Sequence, residues 1–256
     1  MNKINWIGIG TLVRREIIRT FRVVIQTLLA PVISASLYIF IFGTVIGSRI
    51  ESVAGVPYIT FVFPGILMLS VINASFNSAS SSLYFMRFTR GIEEMLIAPF
   101  SYLEMIFGLM SGAVMRALMV SVLILAAGVF FDAVSLLHPI KFTLYIAGIA
   151  GIFSLLGILV ALYSESFEQL QMLNTFVITP LTYLGGIFYS ITMLPATAQV
   201  ITKFNPFFYF ADGVRGSMVG VHESDSQIGV IIISGLLIGL FLLVTHLFKK
   251  GWKIRS

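Results

Sequence analysis

The sequence contains no cysteine, and only 11% of its 256 residues are Asp, Glu, Lys or Arg. The first absence excludes disulfides, thiolate metal sites and cysteine nucleophiles, and leaves the redox compartment open. The second excludes an ordinary soluble globule, in which roughly 25% of residues are charged. No Gly-Lys pair occurs, hence no Walker A phosphate loop. HExxH and GxSxG are also missing, and His138, His222 and His246 are scattered without the spacing of a metal site or a catalytic triad. Catalysis within this chain is therefore not expected, nor is a resident cofactor or metal.

What the chain has instead is apolar surface: 58% hydrophobic residues, 23 phenylalanines and a mean hydropathy of +1.00. Its natural solvent is lipid, which rules out a soluble enzyme, a nucleic-acid-binding domain and a disordered tail. A helix needs about 20 residues to cross a hydrocarbon core of about 30 Å, so each uncharged run can be measured against the bilayer. The runs predict an all-α integral membrane protein with six transmembrane helices, at about 23–47, 59–85, 103–131, 142–164, 169–189 and 226–248. Pro57 and Pro64 fall early in the second run, which implies an extended lead-in before that helix. The run from Gln169 to Thr202 carries Pro180, Gly185, Gly186 and Pro195, so one crossing followed by re-entrant or interfacial structure fits it better than two crossings.

Six crossings leave both termini on one side. That side carries Lys3, Arg14, Arg15, Arg19, Arg22, Arg87, Arg90, Lys249, Lys250, Lys253 and Arg255, and the other only Arg49, Lys141, Lys203 and Arg215. Basic residues stay in the cytoplasm, so both termini are predicted to be cytoplasmic, and the net charge of +5 is accounted for without nucleic acid. A cleaved signal peptide is not expected, because the first apolar run is far longer than a signal core.

Four features are not simple crossings. Over residues 1–22, Trp6, Ile9, Val13, Ile17 and Phe21 recur at helical spacing while Arg15, Arg19 and Arg22 share another face, the pattern of an interfacial helix that either anchors the next helix or meets a partner. In RFTRGIEEMLIAPFSYLE, Phe88, Ile92, Met95 and Leu96 make an apolar stripe and Pro99 ends the helix; it suits a groove on another protein, the lipid surface or the bundle itself. Arg116 is forced into the membrane by the span arithmetic, with Glu165 and Glu168 as candidate counter-charges. Beyond Gly185 the chain is too apolar for a floppy loop, and half-inserted helices or a folded outer loop both satisfy its composition. GxxxG spacings at Gly43/Gly47, Gly108/Gly112 and Gly235/Gly239 are about as frequent as chance, so they are weak indicators of dimer faces.

FGTVIGSRI, FVFPGILMLSVI, RGIEEMLIAP, SFEQLQMLNTFVITPLTYLGGIFYSITMLP and NPFFYFADGVRG together resemble the membrane subunits of ABC-2 type exporters, from about residue 11 to the end of the chain. The block from Ser166 to Gly216 is the most specific part, and the likeness is to short permeases of drug, Nod-factor and polysaccharide exporters whose ATPase is a separate chain. The resemblance implies a homodimer of permeases in a cytoplasmic (inner) membrane with two cytoplasmic ABC ATPases, ATP and Mg residing on those partners. It implies a cytoplasmic coupling helix between the second and third crossings. Coupling falls on Arg14, Arg15 and Glu16 of the first helix and on Arg87, Arg90, Glu93 and Glu94. Short outer helices between the fifth and sixth crossings would close the outer mouth, through Gly185, Gly186, Phe188, Tyr189, Pro195, Asn205, Pro206, Asp212 and Arg215. Helices 1 and 5 would meet their counterparts across the dimer, and helices 2 and 5 would line the path. The cargo is not legible. A gradient-driven carrier or channel working alone is the competing expectation.

Overall fold

The computed structural model describes residues 5–50, 52–97 and 100–251; Lys3, Pro99, Lys253 and Arg255, and the side chains of Glu94, Met95 and Leu96, lie outside the description. The order is α1 (Trp6–Arg22), α2 (Ile25–Ile46), a hairpin of β1 (Ser52–Val53) and β2 (Val56–Pro57), α3 (Tyr58–Phe88), α4 (Gly91–Ile97), α5 (Tyr102–Val129) and α6 (Pro139–Tyr163). Then come α7 (167–183), a 3-10 turn at Ile191–Met193, α8 (Ala196–Phe204), α9 (Pro206–Val219) and α10 (Ser226–Lys249).

Five of these helices, α2, α3, α5, α6 and α10, are long and apolar enough to cross a membrane. The expected crossing at 169–189 is a helix only over 167–183, about 25 Å at 1.5 Å per residue. It stops there because Gly186 takes φ +76°, a left-handed turn that a helix cannot continue through. The lead-in to α3 is the antiparallel hairpin, Ser52 opposite Pro57 and Val53 opposite Val56, turned by Ala54 and Gly55 at φ +52° and +83°. Positive φ at both central residues matches the twist of a two-residue hairpin.

α3 is the axis of the bundle, buried over most of its length, and packs chiefly on α6 and α5. The α3–α6 approach depends on Gly157, where a Cβ would lie 2.6 Å from the Phe76 carbonyl oxygen. α1 lies against α5 across Gly108 and Gly112, whose missing side chains receive Leu12 and Glu16. That spacing therefore serves packing within the chain, while Gly235 and Gly239 face open space. α5 starts on a capping box, with the Ser101 hydroxyl accepting from Glu104 N–H and the Glu104 carboxylate accepting from Ser101 N–H at 2.8 Å.

Two apolar cores result. One joins Phe61, Ile66, Phe153, Phe207 and Phe210 toward the start of α3, and the other joins Leu12, Leu83, Ile106, Leu155 and Phe248 toward its end. α2 and α10 are largely exposed along the flanks, with Ile33, Leu37, Ile231 and Ile238 outward. Apolar side chains on such faces are at home in lipid, where no hydrophobic drive pulls them inward.

Candidate functional site

At the end of the bundle where α3 begins, α9 supplies Asp212 and Arg215, three residues apart and on one face. Arg215 is 1% exposed. Its Nε donates to the Phe61 carbonyl at 3.2 Å, its Nη2 to the Gly186 carbonyl at 2.6 Å, and its Nη1 pairs with Glu223 Oε2 at 3.1 Å. The guanidinium also lies 3.9 Å from the centre of the Phe61 ring. Glu223 accepts on its other oxygen from the Ser190 hydroxyl and from Ile191 N–H. Asp212 accepts from Glu223 N–H at 2.6 Å and from the Ser224 hydroxyl at 2.7 Å. One ionic network thus ties α9, the following loop, the segment after α7 and the first turn of α3.

The other outer-mouth residues support this junction. Asn205 caps α9 by accepting from Phe207 N–H, and its Nδ2 donates to the Leu181 carbonyl at 2.7 Å. Pro195 is the N-cap of α8, and Pro206 opens α9, where a fixed φ and a missing N–H cost nothing. Phe188 stacks on Phe42 with ring centres 4.4 Å apart, and the Tyr189 hydroxyl donates to the Leu184 carbonyl. Gly185 lies against Phe207. The region is therefore two ordered helices, α8 with Val200, Ile201 and Phe204 exposed and α9 buried nearly throughout. Arg215, counted from sequence as an outer-loop charge, is the most deeply buried cation among the described residues. Glu223 was missed, although its separation from Arg215 by a single loop was the available signal.

At the other end, α1 carries Glu16 into the interior, where it is 2% exposed. It pairs with Arg19 at 2.9 Å and Arg15 at 3.2 Å, and accepts from the Ser82 hydroxyl at 2.8 Å. Burial lowers the Arg19 pKa from its ordinary value, opposed by Glu16 and reinforced by Arg15. Arg116 does not meet Glu165 or Glu168. It donates through Nε and Nη2 to the Thr20 hydroxyl at 3.1 and 3.0 Å, with Arg19 and Glu16 as the charges acting on it. The reason is the α1–α5 contact, which brings Thr20 beside Arg116, whereas Glu168 sits in the first turn of α7.

Two residues assigned to partner contact are engaged inside the chain instead. Glu16 is the buried carboxylate just described, and Arg87 Nη1 donates to the Ala161 and Leu162 carbonyls at the end of α6. Arg14 and Arg15 are exposed and border a pocket shared with α3, while Arg90 and Glu93 are exposed beside α4.

Between these ends runs a polar stripe that the sequence reading did not pick out. Ser70, Asn73, Asn77 and Ser81 recur at three- and four-residue spacing along one face of α3. Asn174 Nδ2 donates to Asn73 Oδ1 at 3.0 Å and Gln171 Nε2 to Asn77 Oδ1 at 3.0 Å, which joins the stripe to α7. A groove of about 420 Å³ opens between α2, α3 and α7, lined by Gln26, Ser34, Tyr38, Ser70, Asn73 and Tyr183 among others, with no charged side chain in its wall. The Asn174 Oδ1 is buried without a partner among the described residues. α2 and α7 both contain π-helical turns, at Ile25–Leu29, Ile41–Ile46 and Asn174–Ile178, which interrupt regular bonding and recur at functional sites. The run NASFNSASSS was the legible signal, since such residues in a crossing must find partners or a wet cavity. Among the described residues no three His, Cys, Asp or Glu gather as a metal ion would need.

The pattern of the ABC-2 type transporter family matches residues 8–219. The chain belongs to that family. It is 35% identical, over the whole of both chains, to the inner membrane transport permease YadH of Escherichia coli (strain K12). It is 26% identical to nodulation protein J of Rhizobium meliloti (strain 1021) over 84% of this chain and 82% of that one, and 24% identical to nodulation protein J of Rhizobium leguminosarum bv. viciae over 96% and 95%. The matched segment reaches from α1 to the end of α9 and so includes the buried Glu16 cluster, the polar stripe and Arg215. This ABC-2 chain is a membrane transport permease.

Proposed function

We propose that the chain is one half of the membrane path of an ATP-driven exporter in an inner membrane. Two copies pair, and two separate cytoplasmic ABC ATPases bind ATP and Mg and supply the work, so the chain itself is non-catalytic. The observation that carries this reading is the uncharged hydrogen-bonding stripe on α3. Its groove lies between α2, α3 and α7, and polar groups facing hydrocarbon are costly. A second copy of the same surface closes the groove into a path and covers the exposed Leu37 and Phe176 beside it.

In this arrangement α7 is a short fifth crossing, and both termini lie in the cytoplasm with the arginines of α1. α8 and α9 close the outer mouth, held by the Arg215–Glu223–Asp212 network. α4 is the coupling helix, presenting Glu93 to the ATPase together with Arg90 just before it. Direction follows from the family likeness to export permeases.

The test is reconstitution of the permease with a co-purified ATPase in vesicles. Asn73→Leu with Asn174→Leu is expected to abolish ATP-dependent transport while leaving ATPase association intact. Glu93→Arg is expected to uncouple hydrolysis from transport. If the purified chain alone moves cargo down a proton or sodium gradient without ATP, the reading is wrong and the chain is a carrier.

A further inference from the structure

A second pocket, of about 470 Å³, lies between α1 and the last turns of α3. Its wall holds Arg14, Arg15, Arg19 and Arg22 against one carboxylate, Glu16. That carboxylate is already committed to Arg15, Arg19 and the Ser82 hydroxyl. Beside it, among the described residues, Arg116 donates to the Thr20 hydroxyl. Among the described residues the cations therefore outnumber the anions where the bundle meets the interface, and a positive excess at that depth calls for an anion.

The rim defines the kind of anion. Ile18 and Phe85 border the cavity and are 43% and 46% exposed, an apolar edge beside a guanidinium cluster. Guanidinium groups fit phosphate oxygens two at a time, and apolar side chains at the same level suit the glycerol and upper acyl chain. α1 is itself amphipathic, as expected of a helix lying in the headgroup layer. We infer that the α1–α3 pocket binds the phosphate headgroup of an anionic phospholipid from the inner leaflet. Placing this end at the inner leaflet rests on the orientation proposed above.

The test uses the full chain purified in detergent, titrated with dioleoyl phosphatidylglycerol or dioleoyl phosphatidylcholine, with bound lipid counted by native mass spectrometry. No ATPase is present, so failure of the transport reading does not affect the result. Wild type is expected to retain phosphatidylglycerol over phosphatidylcholine. Arg14→Gln with Arg22→Gln is expected to cut phosphatidylglycerol affinity by about 30-fold, two basic residues at their usual worth beside an anionic membrane. Both positions are exposed, and Arg14→Lys with Arg22→Lys should keep most of the preference. Equal retention of the two lipids, or an unchanged preference in the glutamine variant, overturns the proposal. Displacement of the lipid by inorganic phosphate at equal molarity overturns the lipid as the source.

Discussion

The Arg215 network makes the sharpest quantitative prediction. Arg215→Met keeps the length of the side chain and removes the guanidinium, and with it the bonds to the Phe61 and Gly186 carbonyls and the pair with Glu223. Glu223, whose side chain is 6% exposed, is left buried with only the Ser190 hydroxyl and Ile191 N–H. Removing one partner of a buried pair costs about 3–5 kcal/mol. At roughly 2–4 °C per kcal/mol for a chain of this size, the midpoint of thermal unfolding should fall on the order of 10 °C. Glu223→Gln added to Arg215→Met removes the stranded charge while preserving an acceptor for Ile191 N–H, so the double variant should regain much of the loss. Circular dichroism of the full chain in detergent reads both. A fall under about 2 °C for the single variant, less than 1 kcal/mol on that scale, refutes the reasoning; so does a double variant no better than the single one.

Gly157→Ala forces a Cβ to 2.6 Å from the Phe76 carbonyl oxygen, which is backbone and cannot step aside. It should cost about 1–3 kcal/mol by the same assay, whereas Gly235→Ala, with open space around it, should be neutral or slightly stabilising. Glu16→Gln removes the buried carboxylate that pairs with Arg15 and Arg19 and acts on Arg116, so it should lower the unfolding midpoint well beyond the exposed Arg14→Gln. Glu104→Ala removes the acceptor of Asn5 N–H and Ser101 N–H, a cap worth about 1 kcal/mol. Limited proteolysis should then cut faster at the start of α1.

Much of the bundle was legible because lipid imposes one strict demand: backbone polar groups must be satisfied within the segment, so long uncharged runs become helices. The runs beginning near residues 59, 103, 142 and 226 correspond to α3, α5, α6 and α10, with ends displaced by no more than about a turn. Length alone was a poorer guide between Gln169 and Thr202. There the glycines and prolines cut the run into α7, a 3-10 turn and α8, and the helix stops at Tyr183. Among the charges, sequence recognised that Arg116 needs a partner and named the wrong one. Glu165 and Glu168 are near the membrane edge by count, but the partner came from α1, which the chain order places far away.

By itself, the sequence determined the solvent, the helical class and the location of the long spans, and showed that no Walker A motif is present. Each follows from residue types counted along the chain, where position in the fold does not enter. Only the tertiary structure decided that Glu16 and Arg87 turn inward, that Arg215 is buried against Phe61 and Glu223, and that Asn73 and Asn77 meet Asn174 and Gln171. These depend on which helix faces come together, and close approach at Gly108, Gly112 and Gly157 sets those faces. A charge or amide has no fixed role along a helix until a neighbouring helix brings it an acceptor, a partner charge or an open groove.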